Sequence, residues 1–166
     1  MPNRGKEAIE PEIAELETAI RRMSYLLTLT RRHDRMKQQS GVPLDRAAMT
    51  VLLQLAESGS TRPGELADLL HVEPPHATRQ VQLLERSGYA ERVPDPGDGR
   101  AQQIRLTPAG RRAAGRIRDA GRKNVQMVLG HWSRNDLRVL TDLLVRLVDD
   151  FVADAADPSE LSAKVG

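Results

Sequence analysis

Residues 62 to 107 restrict the fold of this chain more than any other stretch. Thr61 stands where a helix cap belongs, with Pro63 in the first turn and Glu65 nearby, so a short helix is expected over about 62 to 70, burying Leu66 and Leu69 or Leu70. A turn at His71-Val72-Glu73 follows, and Pro74 or Pro75 opens a second helix that runs to Ser87 and is stopped by Gly88. Directly behind it come a strand from Tyr89 to Val93, a turn reading Asp95-Pro96-Gly97-Asp98-Gly99-Arg100, and a strand from Gln102 to Leu106. A helix-turn-helix pattern that runs into a hairpin with one arginine at its tip provides two projecting elements side by side. The second helix fits the major groove of duplex DNA, and the hairpin can reach the adjacent minor groove.

The second helix sorts its residues accordingly. Ala77, Val81 and Leu84 follow the i, i+4, i+7 rule and face a core. Pro75, Arg79, Gln82 and Arg86 then lie on the far side, with His76 and Thr78 flanking them. Arg79 suits a bidentate contact to guanine, Gln82 an adenine or a phosphate, and Thr78 a thymine methyl or a phosphate. At the hairpin, Arg100 suits a narrow, electronegative minor groove. Asp98 is expected to orient Arg100, while Asp-Gly turn chemistry explains Asp98 equally well. Arg92 is expected to touch phosphate, as are Thr61 and Arg62 through side chains and helix-terminal amides.

The ends of the chain carry a different signal. From about Glu10 to Gln39 runs one long amphipathic segment in which Ile13, Leu16, Ile20, Met23 and Leu27 are spaced 3, 4, 3 and 4 apart. Leu137, Leu140, Leu144, Leu147 and Phe151 repeat that spacing near the other end. Each series makes a seam matched to another helix, either in an intertwined homodimer or in the core of a single chain. Between them, residues 44 to 57 read as a helix with Ala48, Val51, Leu52 and Leu55 on one face, ended by Ser58-Gly59-Ser60. Thr107-Pro108 caps and starts a helix to about Leu129, whose small residues Ala109, Gly110, Ala113, Ala114 and Gly115 let another backbone come close. Ser133 and Asp136 form a capping-box variant for the last helix.

Composition removes several classes of function. The 166 residues contain no cysteine, so disulfides, thiolate zinc sites and thiol redox switches are excluded. No apolar run approaches the roughly 20 residues of a membrane span, and no apolar segment follows the first residues as a secretory signal would require. A cytoplasmic protein without a membrane partner is expected. No Ser-His-Asp spacing, phosphate-cradling glycine loop or paired carboxylate cluster points to an enzyme or a cofactor. His33, His71, His76 and His131 have no metal-ligand spacing. The formal charge is only +2, yet ten arginines and five acids (Glu85, Glu91, Asp95, Asp98, Asp119) lie between Arg79 and Arg122, so the basic excess sits beside the helix and hairpin.

Taken together, the order of elements, the stretch Leu83-Leu84-Glu85-Arg86-Ser87-Gly88-Tyr89, the Asp95 to Arg100 hairpin and the stretch Ile104-Arg105-Leu106-Thr107-Pro108-Ala109-Gly110 resemble the MarR (multiple antibiotic resistance regulator) family over about residues 10 to 155. The resemblance implies a mainly α fold with a small β-hairpin wing, in one domain over 1–166. It implies a winged helix-turn-helix lobe over 44–106 and dimerisation helices over 10–39 and 108–155. It also implies a homodimeric regulator, usually a repressor, that binds palindromic double-stranded DNA and is released by a small organic effector, often anionic or aromatic. The alternative is a winged-helix protein-interaction module without sequence-specific DNA binding.

The corresponding effector pocket would draw on Met23, Tyr25, Leu27, Arg31 and His33 from one side and Met49, Leu52 and Leu53 from the other. Urate-responsive relatives carry a tryptophan in the first long helix, whereas the single tryptophan here is Trp132. Two departures stand out. Gly97 occupies the place of the first arginine in the family wing pattern Asp-x-Arg-Asp-x-Arg, and Pro74-Pro75 removes two backbone donors at the head of the reading helix.

Overall fold

The computed structural model describes residues 10–155, which contain seven helices and one antiparallel hairpin. In chain order these are α1 (Glu10–Thr28), α2 (Thr30–Ser40), α3 (Arg46–Ser58), α4 (Pro63–Leu69), α5 (Pro74–Arg86), β1 (Ala90–Pro94), β2 (Gln102–Leu106), α6 (Pro108–Leu129) and α7 (Arg134–Ala155). They fall into two units, one reaching to Lys123 and one starting at Asn124.

The first long segment is two helices instead of one. Leu29 takes an extended ψ of 126° between them, and the Thr28 hydroxyl donates to the Tyr25 carbonyl at 2.8 Å. Threonine has low helix propensity, and such back-bonding competes with the helix ladder, which explains a break between Thr28 and Thr30. No residue of α1 is buried: Ile13, Leu16, Met23 and Leu27 are all exposed.

The core of the first unit forms around α3. Asp45 caps that helix by accepting from the Ala48 N–H at 2.8 Å, and Gly59 ends it at a φ of 77°. Ala48, Val51, Leu52 and Leu55 are buried as their spacing predicts, and Met49 joins them. Leu66 of α4, Val81 and Leu84 of α5, Ile104 and Leu106 of β2, and Ala113, Ala114 and Ile117 of α6 complete the cluster. Leu70 packs against it, while Leu69 stays exposed.

The hairpin pairs Ala90 with Leu106, Arg92 with Ile104 and Pro94 with Gln102, so its first strand begins one residue later than the sequence suggests. An isolated bridge joins Thr61 to Ile104, with N···O distances of 3.0 and 2.8 Å, and ties the hairpin to the start of α4.

The small residues of α6 have one indispensable member. Thr107 donates its hydroxyl to the Gly88 carbonyl at 2.7 Å and accepts from the Gly110 N–H at 3.0 Å, which caps α6 and draws it against the end of α5. A Cβ on Gly110 would overlap the Tyr89 carbonyl oxygen and lie 2.9 Å from its carbon.

In the second unit, the Ser133 hydroxyl donates to the Asp136 carboxylate at 2.6 Å and accepts from its N–H at 3.1 Å, so the expected capping box starts α7. Leu144 and Phe151 of its seam are exposed, along with Val145 and Val148. Leu137, Leu140 and Leu147 are half-buried.

Candidate nucleic-acid interface

α5 presents two sharply different faces. Ala77, Val81 and Leu84 are buried, which fixes the rotation of the helix and leaves Pro75, His76, Arg79, Gln82 and Arg86 exposed, with Thr78 half-buried. Gln80, which sequence reasoning did not place, is only 7% exposed and lies on the inner side. Arg79 and Arg86 form no ion pair among the described residues, so their guanidinium groups keep their full donor capacity.

The start of α5 offers no phosphate site of its own. Pro74 and Pro75 fill its first two positions and lack N–H groups, and the N–H groups of His76 and Ala77 both go to the Glu73 carbonyl, at 2.9 and 3.3 Å. Any contact made here must come from side chains. His71, in the turn ahead of the helix, holds a positive φ of 50°.

The structure revises several expected roles around the hairpin. Thr61 is 4% exposed, and its hydroxyl donates to Ser58 at 2.9 Å, so it supports the lobe from inside and offers no hydroxyl to a ligand. The cap position of α4 belongs to Arg62, whose N–H is taken by the Glu65 carboxylate at 3.2 Å. That amide is therefore not free for phosphate. Asp98 is exposed and accepts from the Arg100 backbone N–H at 3.0 Å, not from its guanidinium, so turn chemistry describes its role. Arg100 is exposed and forms no ion pair among the described residues. Arg92 donates through Nε to Glu85 at 2.9 Å, which links β1 to the last turns of α5 and leaves its side chain 34% exposed. Arg105 makes the same kind of contact with Glu91 across the hairpin.

The residue that organises the wing was read in the sequence only as part of a turn. Asp95 is buried, and its carboxylate accepts from Arg62 Nε at 2.7 Å, Gln103 Nε2 at 2.9 Å, and the N–H groups of Gly97 and Asp98 at 2.8 and 3.1 Å. The Arg62 hydrogen bond first, and then that of Gly97, hold the Asp95 carboxyl well below the usual carboxylate range against the opposing effect of burial. A lowered native pKa gives stability that is complete above the unfolded value of about 3.9 and is lost as pH falls below it. Asp95→Asn is therefore expected to lower the melting temperature at pH 7 by roughly 5 °C, and the gap from wild type should hold down to about pH 5 and close below about pH 4. Melts across that pH range check this, and a gap that widens in acid would contradict it.

The expected effector residues do not share one environment. Met49 and Leu52 belong to the core and Leu53 packs against it, whereas Met23, Tyr25 and Leu27 stand exposed on α1. Arg31 is exposed and His33 half-buried on α2. An open depression of about 520 Å³ is lined instead by Asp34, Lys37, Gln38, Gly41 and Pro43, at the passage from α2 to α3. Among the described residues, no helix is long and apolar enough to cross a membrane, and no group of His, Cys, Asp or Glu has the geometry to hold a metal ion.

A three-helix lobe packed on a common core, an exposed cationic face on its last helix and an adjoining hairpin define a winged helix-turn-helix protein. Residues 42–101 match the MarR family model. The chain is 32% identical over 111 residues to an uncharacterized HTH-type transcriptional regulator of Mycobacterium leprae, which covers 65% of this chain and 78% of the relative. Its fold is similar to that of a MarR family protein from Bacillus stearothermophilus, with a TM-score of 0.74 at 24% identity over 86% of this chain and 97% of the other. It is similar as well to FabT of Streptococcus pneumoniae, solved in complex with DNA, with a TM-score of 0.68 at 21% identity over 87% and 98% of the two chains. The chain belongs to the MarR family of DNA-binding transcription regulators, which are not enzymes.

Proposed function

We propose that this chain works in the cytoplasm as a homodimeric repressor that binds a palindromic duplex and is released by a small organic effector. The observation that carries the reading is the exposed row of Arg79, Gln82 and His76 on a helix whose other face is locked into the core, with the exposed Arg100 on the neighbouring wing. In this reading Arg79 contacts guanine, Gln82 and Thr78 contact bases or phosphates beside it, and the Pro75 ring and His76 lie along the groove. Arg100 enters the minor groove, and the remaining exposed edge of Arg92 faces phosphate.

The dimer is supported by the uncovered apolar faces of α1 and α7, each of which carries a helix-matching seam. The likeness in fold to FabT, a protein solved in complex with DNA, supports DNA as the partner. Release by an effector rests on the family alone. A small anionic or aromatic compound that binds the native state raises its melting temperature, and Trp132, 39% exposed, reports the change by fluorescence.

Sedimentation equilibrium of the free protein and of its complex with duplex DNA tests the reading. Two 18.4 kDa chains per particle are expected in both. A monomer at micromolar concentration that leaves duplex DNA unbound at low salt would overturn it.

A further inference from the structure

The wing holds a cation that is not part of it. Arg62, at the start of α4, donates through Nε to a carboxylate oxygen of Asp95, and the Gly97 N–H at the wing tip donates to the other oxygen of that same carboxylate. The two oxygens also accept from Gln103 and from the Asp98 N–H, so Asp95, with a side chain only 4% exposed, has no acceptor capacity left for solvent. Arg62, by contrast, is 44% exposed, and its outer Nη groups make no hydrogen bond among the described residues. A planar guanidinium can be held by one edge while the opposite edge grips another anion, a geometry lysine cannot reproduce.

We propose that Asp95 is a positioning residue for the DNA backbone. It fixes the inner edge of Arg62 so that the outer edge grips a phosphate beside the wing, and it thereby makes the start of α4 and the wing one gripping unit. The assignment rests on the reading of a duplex-binding regulator. It gives the wing a second cation next to Arg100, supplied from a different element. The paired Arg62 charge and three neutral donors offset the repulsion between this buried carboxylate and the phosphate, and the gain from orienting Arg62 exceeds what remains of it.

The test measures affinity across a salt series on a duplex selected by the wild-type protein. Each phosphate contact contributes about 0.9 to the slope of log affinity against log salt. Arg62→Ala is expected to lower the slope by about 1.8 for a dimer, and to weaken binding on the order of tenfold or more at moderate salt. Arg62→Lys recovers only part of this. Asp95→Asn loses slope in the same direction, although removing a negative charge beside a polyanion would otherwise tighten binding.

Gly97 provides the rescue. It lies outside the left-handed region, and a Cβ there would stand 3.4 Å from Asp95 Oδ1, an ordinary contact. Gly97→Arg added to Arg62→Ala is expected to restore the lost slope. The assignment is overturned if Arg62→Ala keeps the wild-type slope, or if folded Asp95→Asn binds as tightly as wild type or more tightly. Should Asp95→Asn fail to fold by circular dichroism, Arg62→Ala and its rescue decide the matter. If wild type binds no duplex at all, the DNA-binding reading itself falls, and this assignment with it.

Discussion

Replacing Arg79 with alanine is expected to lower affinity for the selected duplex by roughly 30-fold to 10⁴-fold while leaving the fold intact. A bidentate arginine–guanine contact discriminates by about 1–3 kcal/mol, and a dimer makes it twice. Arg79 is exposed and is not needed by the core, which Ala77, Val81 and Leu84 occupy on the other face of α5. The melting temperature should therefore stay within about 2 °C of wild type, as for surface substitutions elsewhere. The loss is expected as relaxed sequence preference at one position of each half-site, with little change in salt dependence. Arg100→Ala differs in kind, because a minor-groove cation answers to groove width and electrostatic potential. It should weaken binding to sites with narrow minor grooves most. Competition binding against duplexes varied one base pair at a time separates the two. An Arg79→Ala protein that keeps the full wild-type preference would remove the reading helix from its assigned role.

Gly110→Ala is expected to be the most damaging glycine-to-alanine change among the described residues. The added Cβ meets the Tyr89 backbone carbonyl, an atom held by the Thr107 N–H at 3.0 Å, so it cannot swing aside as a flexible side chain would. Overpacking typically costs 1–3 kcal/mol, and this contact lies at or beyond the upper end because the carbonyl is backbone and a Cβ has no rotamer by which to move away. Alanine's helix propensity returns about 1 kcal/mol. The net loss is about 2 kcal/mol or more, a fall in melting temperature of roughly 5–10 °C. Gly115→Ala in the same helix should do the reverse. Nothing lies within 4 Å of a Cβ there, so helix propensity alone acts and stability rises by about 0.5–1 kcal/mol. Opposite signs from the same change five residues apart identify close backbone approach as the cause. Equal shifts would leave the Gly110 contact without consequence.

Much of the fold is legible in the sequence because its signals are local. The faces of α3 and α5 follow from 3.6-residue spacing, the end of α5 from Gly88 with its φ of 72°, and the start of α7 from the Ser133–Asp136 pair. Close approach at the head of α6 was visible as a run of small residues, though not that Gly110 carries it. The break at Leu29 was hidden because the apolar spacing of α1 runs up to it without a fault. Asp45 as the cap of α3 had a readable signal, an aspartate just ahead of a periodic segment, and was overlooked.

The interface was less legible wherever a role depends on contacts far away in sequence. Asp95 looks like a turn residue until Arg62, 33 positions earlier, is seen beside it. A partner still farther along the chain, Ile104, draws Thr61 into a buried bridge and away from the surface. Asp98 could be read either way, and the structure gives it the backbone role. The pocket suffered most, because a methionine and leucine stripe has the same pattern whether it lines a cavity, as proposed for Met49 and Leu52, or fills a core, as these two residues do.

Selection of binding sites by the purified protein from a randomised duplex library at low salt tests the central claim most directly. The account predicts enrichment of one palindrome whose half-sites lie about one helical turn apart, bound by two chains with a steep loss of affinity as salt rises. A library that emerges unenriched, or a single asymmetric site bound by one chain, would contradict it.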